Sequence, residues 1–279
     1  MNSYVASGFA LITGAGSGIG KNSAFSFAQA GAAGVMFADI NEKSAQDAAV
    51  ESKKYACNPN YRAVAIHVDV ENETSIQAMV EAAIRDFGRI DYNIGTSTMD
   101  GIADIPIDEF DHVLNVNMKG TMLCTRTVSK AMLLQEPSEF QGRYSTRSLG
   151  RGSIVNLGSL NSSVVVPGKT SYTTAKHAVI GITKTAGRLK SFDSVDNAGQ
   201  GIRVNAVCPI WVESPMTEHE AQVNPHLEHI VKAAVPLKRM AQPDEVADSI
   251  VFLCSPAASF ITGVSLVIDA GTALTVRLL

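Results

Sequence analysis

A tyrosine and a lysine four residues apart, Tyr172 and Lys176 in the stretch SYTTAKHAV, could act together as an acid and its activator. Side chains at positions i and i+4 share one face of a helix, and this stretch contains neither glycine nor proline. A free phenol titrates at about pH 10, and a neighbouring ammonium favours the phenolate and lowers its pKa. The pair could therefore donate or accept a proton, although the same spacing also occurs on ordinary helix faces.

Four glycines follow the first predicted strand, in the stretch TGAGSGIGK. Gly14, Gly18 and Gly20 form a Gly-x-x-x-Gly-x-Gly pattern, so the G-x-G-x-x-G spacing of many dinucleotide-binding turns is not met. Such a turn lets the backbone approach a pyrophosphate closely and directs the amides of the next helix towards it. Taken alone, the pattern is equally consistent with a tight connection between a strand and a helix.

An acidic residue ends the second predicted strand. Asp39 lies nineteen residues after Gly20, where a carboxylate would accept hydrogen bonds from both ribose hydroxyls of an adenosine. The same carboxylate would repel a 2′-phosphate, and no Arg or Lys stands within the glycine turn or next to Asp39. Lys21 is the one basic residue nearby, and a solvated or helix-packed role explains it. The pattern therefore favours NAD(H) over NADP(H).

The composition indicates a globular protein without a nucleic-acid or membrane partner. The chain has 279 residues, of which 46% are hydrophobic and 18% charged. A formal net charge of −4 provides no basic surface for nucleic acid or an anionic membrane. We recognise neither a signal peptide nor an apolar stretch long enough to span a bilayer, and we expect a cytoplasmic protein.

The cysteines and histidines match no metal-site pattern. The cysteines lie far apart in the sequence, three of them in apolar runs: Cys57, Cys124, Cys208 and Cys254. We expect reduced, mostly buried thiols. His226 and His229, with His219 nearby, lack a surrounding cysteine or carboxylate arrangement. A solvated helix face explains these histidines, and we expect no metal.

Short apolar, β-branched runs alternate with longer helical patterns along the chain. The predicted strands cover residues 9–13, 34–40, 62–70, 89–95, 153–159, 202–209 and 265–270. The clearest helical patterns cover residues 73–88, 110–135 and 242–255. Regular alternation predicts crossover connections and a parallel sheet covered by helices on both faces. We therefore expect a single α/β domain over residues 1–279, with a Rossmann-like, doubly wound sheet of about seven strands.

Two segments differ from this alternation. Residues 137–152, PSEFQGRYSTRSLGRG, are polar and predict an inserted surface loop. Residues 212–234 lie between the sixth and the last predicted strand.

In their order and spacing, these motifs are similar to those of the short-chain dehydrogenase/reductase family, over about residues 7–272. TGAGSGIG resembles the cofactor turn of the family, HVDV its adenine-side segment with Asp69, and NVNMKG the segment of its catalytic asparagine, here Asn117. GSIVNLGS resembles the strand that ends in the catalytic serine, here Ser159, thirteen residues before the tyrosine of YTTAK. GIRVNAVCP and FITGVSLVIDAG match the sixth strand and the C-terminal strand region.

The resemblance implies an NAD(H)-dependent oxidoreductase that interconverts a secondary alcohol and a ketone on a small, moderately apolar molecule. Tyr172 would be the acid or base, and Lys176 would lower its pKa and hold the nicotinamide ribose. Ser159 would bind the substrate oxygen, and Asn117 would fix a water that feeds protons to the lysine. The residues expected to contact the cofactor are Gly14, Ser17, Gly18, Ile19, Gly20, Asp39, Ile40, Asp69, Val70, Gly95, Thr96, Tyr172, Lys176, Pro209 and Val212.

Two stretches depart from the family pattern. Gly95-Thr96-Ser97-Thr98 stands where the family usually has Asn-Asn-Ala-Gly, and Pro209-Ile210 stands where it has Pro-Gly. The side chain of Ile210 would either narrow the nicotinamide pocket or turn away from it. These departures favour an alternative: a protein of this fold with a non-redox role, as an isomerase, a cyclase or a ligand-binding protein.

The resemblance also places a substrate lid at residues 212–234 and implies a homo-oligomer. Trp211 and Met216 would either contact substrate or pack the lid onto the body. The family commonly forms dimers and tetramers through helices at about residues 110–135 and 171–190. Phrases such as YTTAKHAVIGITK look like fungal members of the family, which often act in secondary metabolism.

Overall fold

A computed structural model describes residues 5–95, 107–165, 169–187 and 200–274. Its strands are β1 Phe9–Thr13, β2 Gly34–Asp39, β3 Arg62–His67, β4 Tyr92–Gly95, β5 Ser138–Gln141, β6 Thr146–Gly150, β7 Gly152–Leu157, β8 Ile202–Pro209 and β9 Ser265–Ile268. Its α-helices are α1 Gly18–Gln29, α2 Glu42–Ser52, α3 Glu73–Phe87, α4 Ile107–Leu114, α5 Gly120–Leu133, α6 Thr170–Ala186, α7 Pro215–Val223, α8 Leu227–Ala234 and α9 Pro243–Cys254. No described helix is long and apolar enough to cross a membrane.

Seven parallel strands form one sheet in the order β3-β2-β1-β4-β7-β8-β9. The chain runs outward from β1 to β3, then returns and continues from β4 on the other side. The strand order therefore reverses between β1 and β4, which is where doubly wound folds bind their ligands. The predicted Rossmann-like α/β fold is confirmed.

Helices cover both faces of this sheet and bury two apolar clusters. One cluster includes Phe27 of α1 and Ile250 of α9, and the other includes Met79 of α3 and Val128 of α5. The central strands are buried on both faces because each face lies under helices, and they therefore read as continuous apolar runs such as FALIT.

The helical pattern at 110–135 is interrupted where the sequence predicts one continuous helix. The chain instead forms α4, a π-helical turn Asn115–Lys119, and then α5. The side-chain amide of Asn117 donates to the Val113 carbonyl at 2.9 Å, the acceptor that its backbone N–H would use in an α-helix. The helix widens at this competing bond, as π-turns near functional sites commonly do.

The polar insert forms an antiparallel hairpin of β5 and β6, where the sequence predicts a loop. The Phe140 ring is buried, and the Arg147 guanidinium stacks on it at 5.1 Å from the ring centroid. Arg147 also donates to the Pro256 carbonyl at 2.9 Å, which ties the hairpin to the body. One aromatic residue among polar ones gives no clear strand period, so the sequence pattern did not reveal this hairpin.

Candidate active site

Two hydroxyls that are thirteen residues apart meet at the carboxyl edge of the sheet. Ser159 follows the end of β7, and Tyr172 lies in the first turn of α6. Both residues are 8% exposed, and the two side chains are close enough for the Ser159 hydroxyl to lower the pKa of the Tyr172 phenol. Two neutral hydroxyls held together in this way can bind one substrate oxygen and exchange a proton with it.

A second serine fixes the position of this pair. The hydroxyl of Ser162 accepts the Ser159 backbone N–H at 3.1 Å and donates to the Lys176 carbonyl at 2.8 Å. Gly158, the residue before Ser159, lies close to β8. A Cβ at this position would be 2.7 Å from the Cys208 sulfur, which leaves room only for glycine. Ser162 is not among the predicted site residues, although a serine three residues after Ser159 has the spacing of a helix capping box.

Lys176 is buried beneath the tyrosine. It is 1% exposed, its Nζ donates to the Leu157 carbonyl at 2.7 Å, and the same atom lies 5.4 Å from the centroid of the Tyr172 ring. Burial lowers the pKa of Lys176 to about 7. The amine therefore changes its protonation state near neutral pH, as a proton relay requires.

The pKa of the Tyr172 phenol is raised, whereas the sequence predicts that Lys176 lowers it. Burial is the largest effect and raises the pKa of Tyr172 to about 12, while the hydrogen bond from Ser159 partly opposes it. The physical reason is that Lys176 is bonded to the Leu157 carbonyl and is itself easily neutralised by burial. At neutral pH the phenol is protonated and suited to donate a proton to a substrate oxygen.

The buried amine predicts a measurable pH dependence of stability. The pKa of Lys176 is lower in the folded state than in the unfolded state, so unfolding takes up a proton above about pH 7. The free energy of unfolding should therefore increase from pH 7 to 8.5, with a slope that approaches about 1.4 kcal/mol per pH unit. Urea unfolding of the wild type and of Lys176→Met at several pH values in this window would measure that slope.

The Lys176→Met protein should lose this contribution to the slope. Lys184→Met is the matched control, because Lys184 is exposed on the same helix and its removal should leave the slope unchanged. Equal slopes in the wild type and in Lys176→Met would contradict a neutralised lysine.

Asn117 lies in the π-turn and is 1% exposed. Its backbone carbonyl accepts the Thr121 hydroxyl at 2.6 Å, and its turn packs against α6. The structure therefore brings the turn of Asn117 against the helix that carries Tyr172 and Lys176.

The glycine turn packs closely against the start of α1. A Cβ on Gly20 would lie 2.2 Å from the Gly14 carbonyl oxygen, and Gly14 and Gly18 have φ values of 67° and 50°. The Asp39 carboxylate accepts the Gly16 amide at 2.8 Å and the Asn41 amide at 2.9 Å. The turn is thus held at the end of β2, with the N-terminal amides of α1 open to a phosphate. This cradle fits the pyrophosphate of a dinucleotide.

The other predicted cofactor contacts have different surroundings. Ser17 is the residue before α1 and has an extended backbone. Ile19, the second residue of α1, packs against the apolar core. Ile40 directly follows β2 and is 70% exposed. The Asp69 carboxylate accepts the Glu71 amide at 2.9 Å and so closes the turn that precedes α3.

The remaining predicted contacts lie along the edge of the sheet. Val70 packs against Gly120 at the start of α5, and Gly95 ends β4. Thr96 falls outside the described residues. Pro209 ends β8 beside β9, and Val212 is buried and bridges to Ala241.

The side chain of Ile210 packs against α8, within residues 212–234. Ile210 and Trp211 both contact an apolar cluster formed by α8 and the residue after it: Leu227, Val231 and Val235. Trp211 likewise packs against α8, whereas Met216 is 37% exposed.

Among the residues that the structure describes, no group of three or more His, Cys, Asp or Glu is arranged to hold a metal ion. Cys124, Cys208 and Cys254 are buried and Cys57 is exposed, all as free thiols. The site therefore consists of hydroxyl, amine, amide and carboxylate groups.

Known proteins similar to this chain include fungal enzymes. A family model described as enoyl-(acyl carrier protein) reductase matches residues 14–273. The short-chain dehydrogenase anuF of Penicillium roqueforti is 42% identical over 97% of both chains, and the short-chain dehydrogenase fogB of Aspergillus ruber is 41% identical over 96% of this chain and 97% of its own. The crystal structure of levodione reductase superposes with a TM-score of 0.83 at 27% identity, over 98% of this chain and 99% of that one.

Proposed function

The chain belongs to the short-chain dehydrogenase/reductase family, and from that premise we propose that it is an NAD(H)-dependent oxidoreductase acting on a secondary alcohol or ketone. The substrate is a small, moderately apolar molecule, and the fungal relatives support a role in secondary metabolism. The observation that carries the proposal is that the buried side chains of Ser159 and Tyr172 lie together, with the buried amine of Lys176 5.4 Å from the centroid of the Tyr172 ring.

In the reducing direction, Ser159 and Tyr172 bind the carbonyl oxygen of the substrate. As negative charge develops on that oxygen, the Tyr172 phenol donates its proton. In the oxidising direction the Tyr172 phenolate must take the proton of the alcohol, and the raised pKa leaves little phenolate at neutral pH. Lys176, with a pKa of about 7, can carry protons to and from the phenol. A bound nicotinamide would supply or accept the hydride.

The glycine turn and Asp39 would hold the pyrophosphate and the adenosine ribose. Selection of NAD(H) is supported by the Asp39 carboxylate and by the state of two lysines: Lys21, which follows the last glycine of the turn, and Lys43, four residues after Asp39. Lys21 pairs with Glu51 at 2.7 Å, and Lys43 pairs with Asp47 at 2.6 Å. Both ammonium groups are thus engaged by carboxylates, which leaves Asp39 to repel a 2′-phosphate.

Calorimetric titration with NADH and NADPH tests this proposal, with Trp211 fluorescence as a second readout. We expect micromolar binding of NADH and at least tenfold weaker binding of NADPH, because the Asp39 carboxylate would face the 2′-phosphate. Asp39→Asn keeps an oxygen for the Gly16 amide and removes the charge, so the preference for NADH should shrink. Binding of neither nucleotide would overturn the proposal.

A homo-oligomer is also part of the proposal. A groove of about 530 Å³ runs between α5 and α6, with apolar side chains and two cations along it. Its lining includes Met122, Leu133, Ile182, Arg126 and Lys130. These are the helices through which the family commonly forms dimers and tetramers. A second copy of the chain would cover the exposed apolar atoms of this groove.

A further inference from the structure

The helix α7 connects the two halves of the candidate site. At its start, a Cβ on Gly18 would lie 3.6 Å from the Cβ of Ser214 and 4.0 Å from Pro215. In its second turn, Glu220 accepts a hydrogen bond from Lys169, with 2.6 Å between Oε1 and Nζ. Lys169 directly precedes α6, three residues before Tyr172. The lid therefore reaches from the glycine turn to the catalytic helix.

The ion pair leaves one oxygen of Glu220 without a hydrogen-bond partner. The Glu220 side chain is 14% exposed, and Lys169 bonds to Oε1. The second oxygen, Oε2, is buried and accepts no hydrogen bond from any residue that the structure describes. A buried carboxylate oxygen without a partner has lost its hydrogen bonds to water, and a hydrogen-bond donor placed beside it would replace them.

The position of Glu220 relative to Tyr172 indicates which donor could reach it. The negative charge of Glu220 is close enough to raise the pKa of the Tyr172 phenol, after the larger effect of burial. Lys169, the partner of Glu220, stands three residues before Tyr172, and side chains at this spacing are neighbours on a helix. A molecule whose carbonyl oxygen is bonded to Tyr172 would therefore extend past the pair of Lys169 and Glu220. A negatively charged substrate group would be repelled there, whereas a neutral hydroxyl would be attracted.

We propose that Oε2 of Glu220 is a substrate-binding group that accepts a hydrogen bond from a second oxygen of the substrate, a hydroxyl separate from the reacting carbonyl. This inference rests on the proposed ketone reduction and narrows its substrate class to neutral hydroxyketones. Lys169 holds the carboxylate in place from the other side. Glu220 is not among the predicted site residues, because its partner Lys169 is fifty-one residues away in the chain.

Hydroxyacetophenones and their methyl ethers test this proposal. The 2-, 3- and 4-hydroxy isomers place the hydroxyl at different distances from the carbonyl, and each methoxy analogue lacks the donor. We expect at least one hydroxy isomer to exceed its ether by about 10- to 100-fold in kcat/KM, since a hydrogen bond to a charged acceptor is lost in the ether. In Glu220→Ala this ratio should fall to about 1. Glu218→Ala, which removes an exposed carboxylate from the same helix, should keep it.

Binding measurements separate this inference from the proposed function. Calorimetry with each acetophenone pair, in the presence and absence of NAD+, measures the hydroxyl preference without turnover. A preference that Glu220→Ala abolishes, without turnover of any ketone, would support the subsite and contradict the ketone reductase. Turnover without any hydroxyl preference, or with the same preference in Glu220→Ala, would overturn the subsite and leave the proposed function intact.

The variant Lys169→Met distinguishes a substrate contact from a lid latch. If the ion pair only closed the lid, Lys169→Met and Glu220→Ala would lose activity to the same extent on both members of each acetophenone pair. The subsite predicts that Lys169→Met keeps a hydroxyl preference, because the Glu220 carboxylate remains. Equal and uniform losses in the two variants would contradict the proposal.

Discussion

Tyr172→Phe should lose about 1,000-fold in turnover with a ketone substrate and leave the affinity for NADH unchanged, because only the proton donor is removed. The Tyr172 hydroxyl lies beside Ser159, and burial raises its pKa to about 12. The ring, which packs near the Lys176 amine, is retained in phenylalanine. Steady-state kinetics with NADH and calorimetric titration of NADH would measure the two quantities separately.

Tyr61→Phe is a matched control for this variant. The Tyr61 phenol also has a pKa raised to about 12 by burial, and its hydroxyl bonds to the Ser52 hydroxyl at 3.0 Å. The bond between Tyr61 and Ser52 joins the start of β3 to the end of α2, away from the candidate site. Both variants should lose a similar amount of stability, about 1 kcal/mol for one hydrogen bond, but only Tyr172→Phe should lose turnover. Full activity of Tyr172→Phe would remove the basis of the proposed acid–base role.

The sheet could be predicted from the sequence because its strands obey a simple rule. Each is a short apolar run, since helices cover both faces, and the predicted bounds of β1 and β8 match the structure residue for residue. The glycine turn and the pair of Tyr172 and Lys176 also depend on short-range spacing. Local patterns therefore placed the elements and the chemical groups at the edge of the sheet.

What the sequence could not show depends on contacts between distant segments. The bond from Asn117 to Val113 interrupts a helix whose apolar pattern is continuous. The side chain of Ile210 turns into the α8 cluster, and no local rule gives that direction. The pairing of Glu220 with Lys169 likewise follows from the path of the lid. The pKa of Tyr172 is raised where the sequence predicts that it is lowered, because burial is a property of the folded chain.

Gly20→Ala should have the second large effect, on cofactor binding. A Cβ on Gly20 would lie 2.2 Å from the oxygen and 2.7 Å from the carbon of the Gly14 carbonyl. Both atoms are backbone, so no side chain can rotate away, and α1 must shift relative to the turn. The amides that would hold the pyrophosphate move with it. We expect at least a 100-fold loss of NADH affinity, together with a stability loss of about 1–3 kcal/mol.

Alanine substitutions at two further glycines should reduce NADH affinity to a smaller extent or not at all. A Cβ on Gly16 would meet the Ser44 side chain at 2.8 Å and the Asp39 carboxylate at 3.0 Å, which are side chains that can yield in part. A Cβ on Gly181, in the middle of α6, would have no atom within 4 Å among the described residues. NADH affinity should therefore fall most in Gly20→Ala, less in Gly16→Ala and not at all in Gly181→Ala. Calorimetric titration with NADH would measure this order of affinities, at a temperature where circular dichroism shows that all three variants are folded. An unchanged affinity in folded Gly20→Ala would show that the turn does not hold the nucleotide.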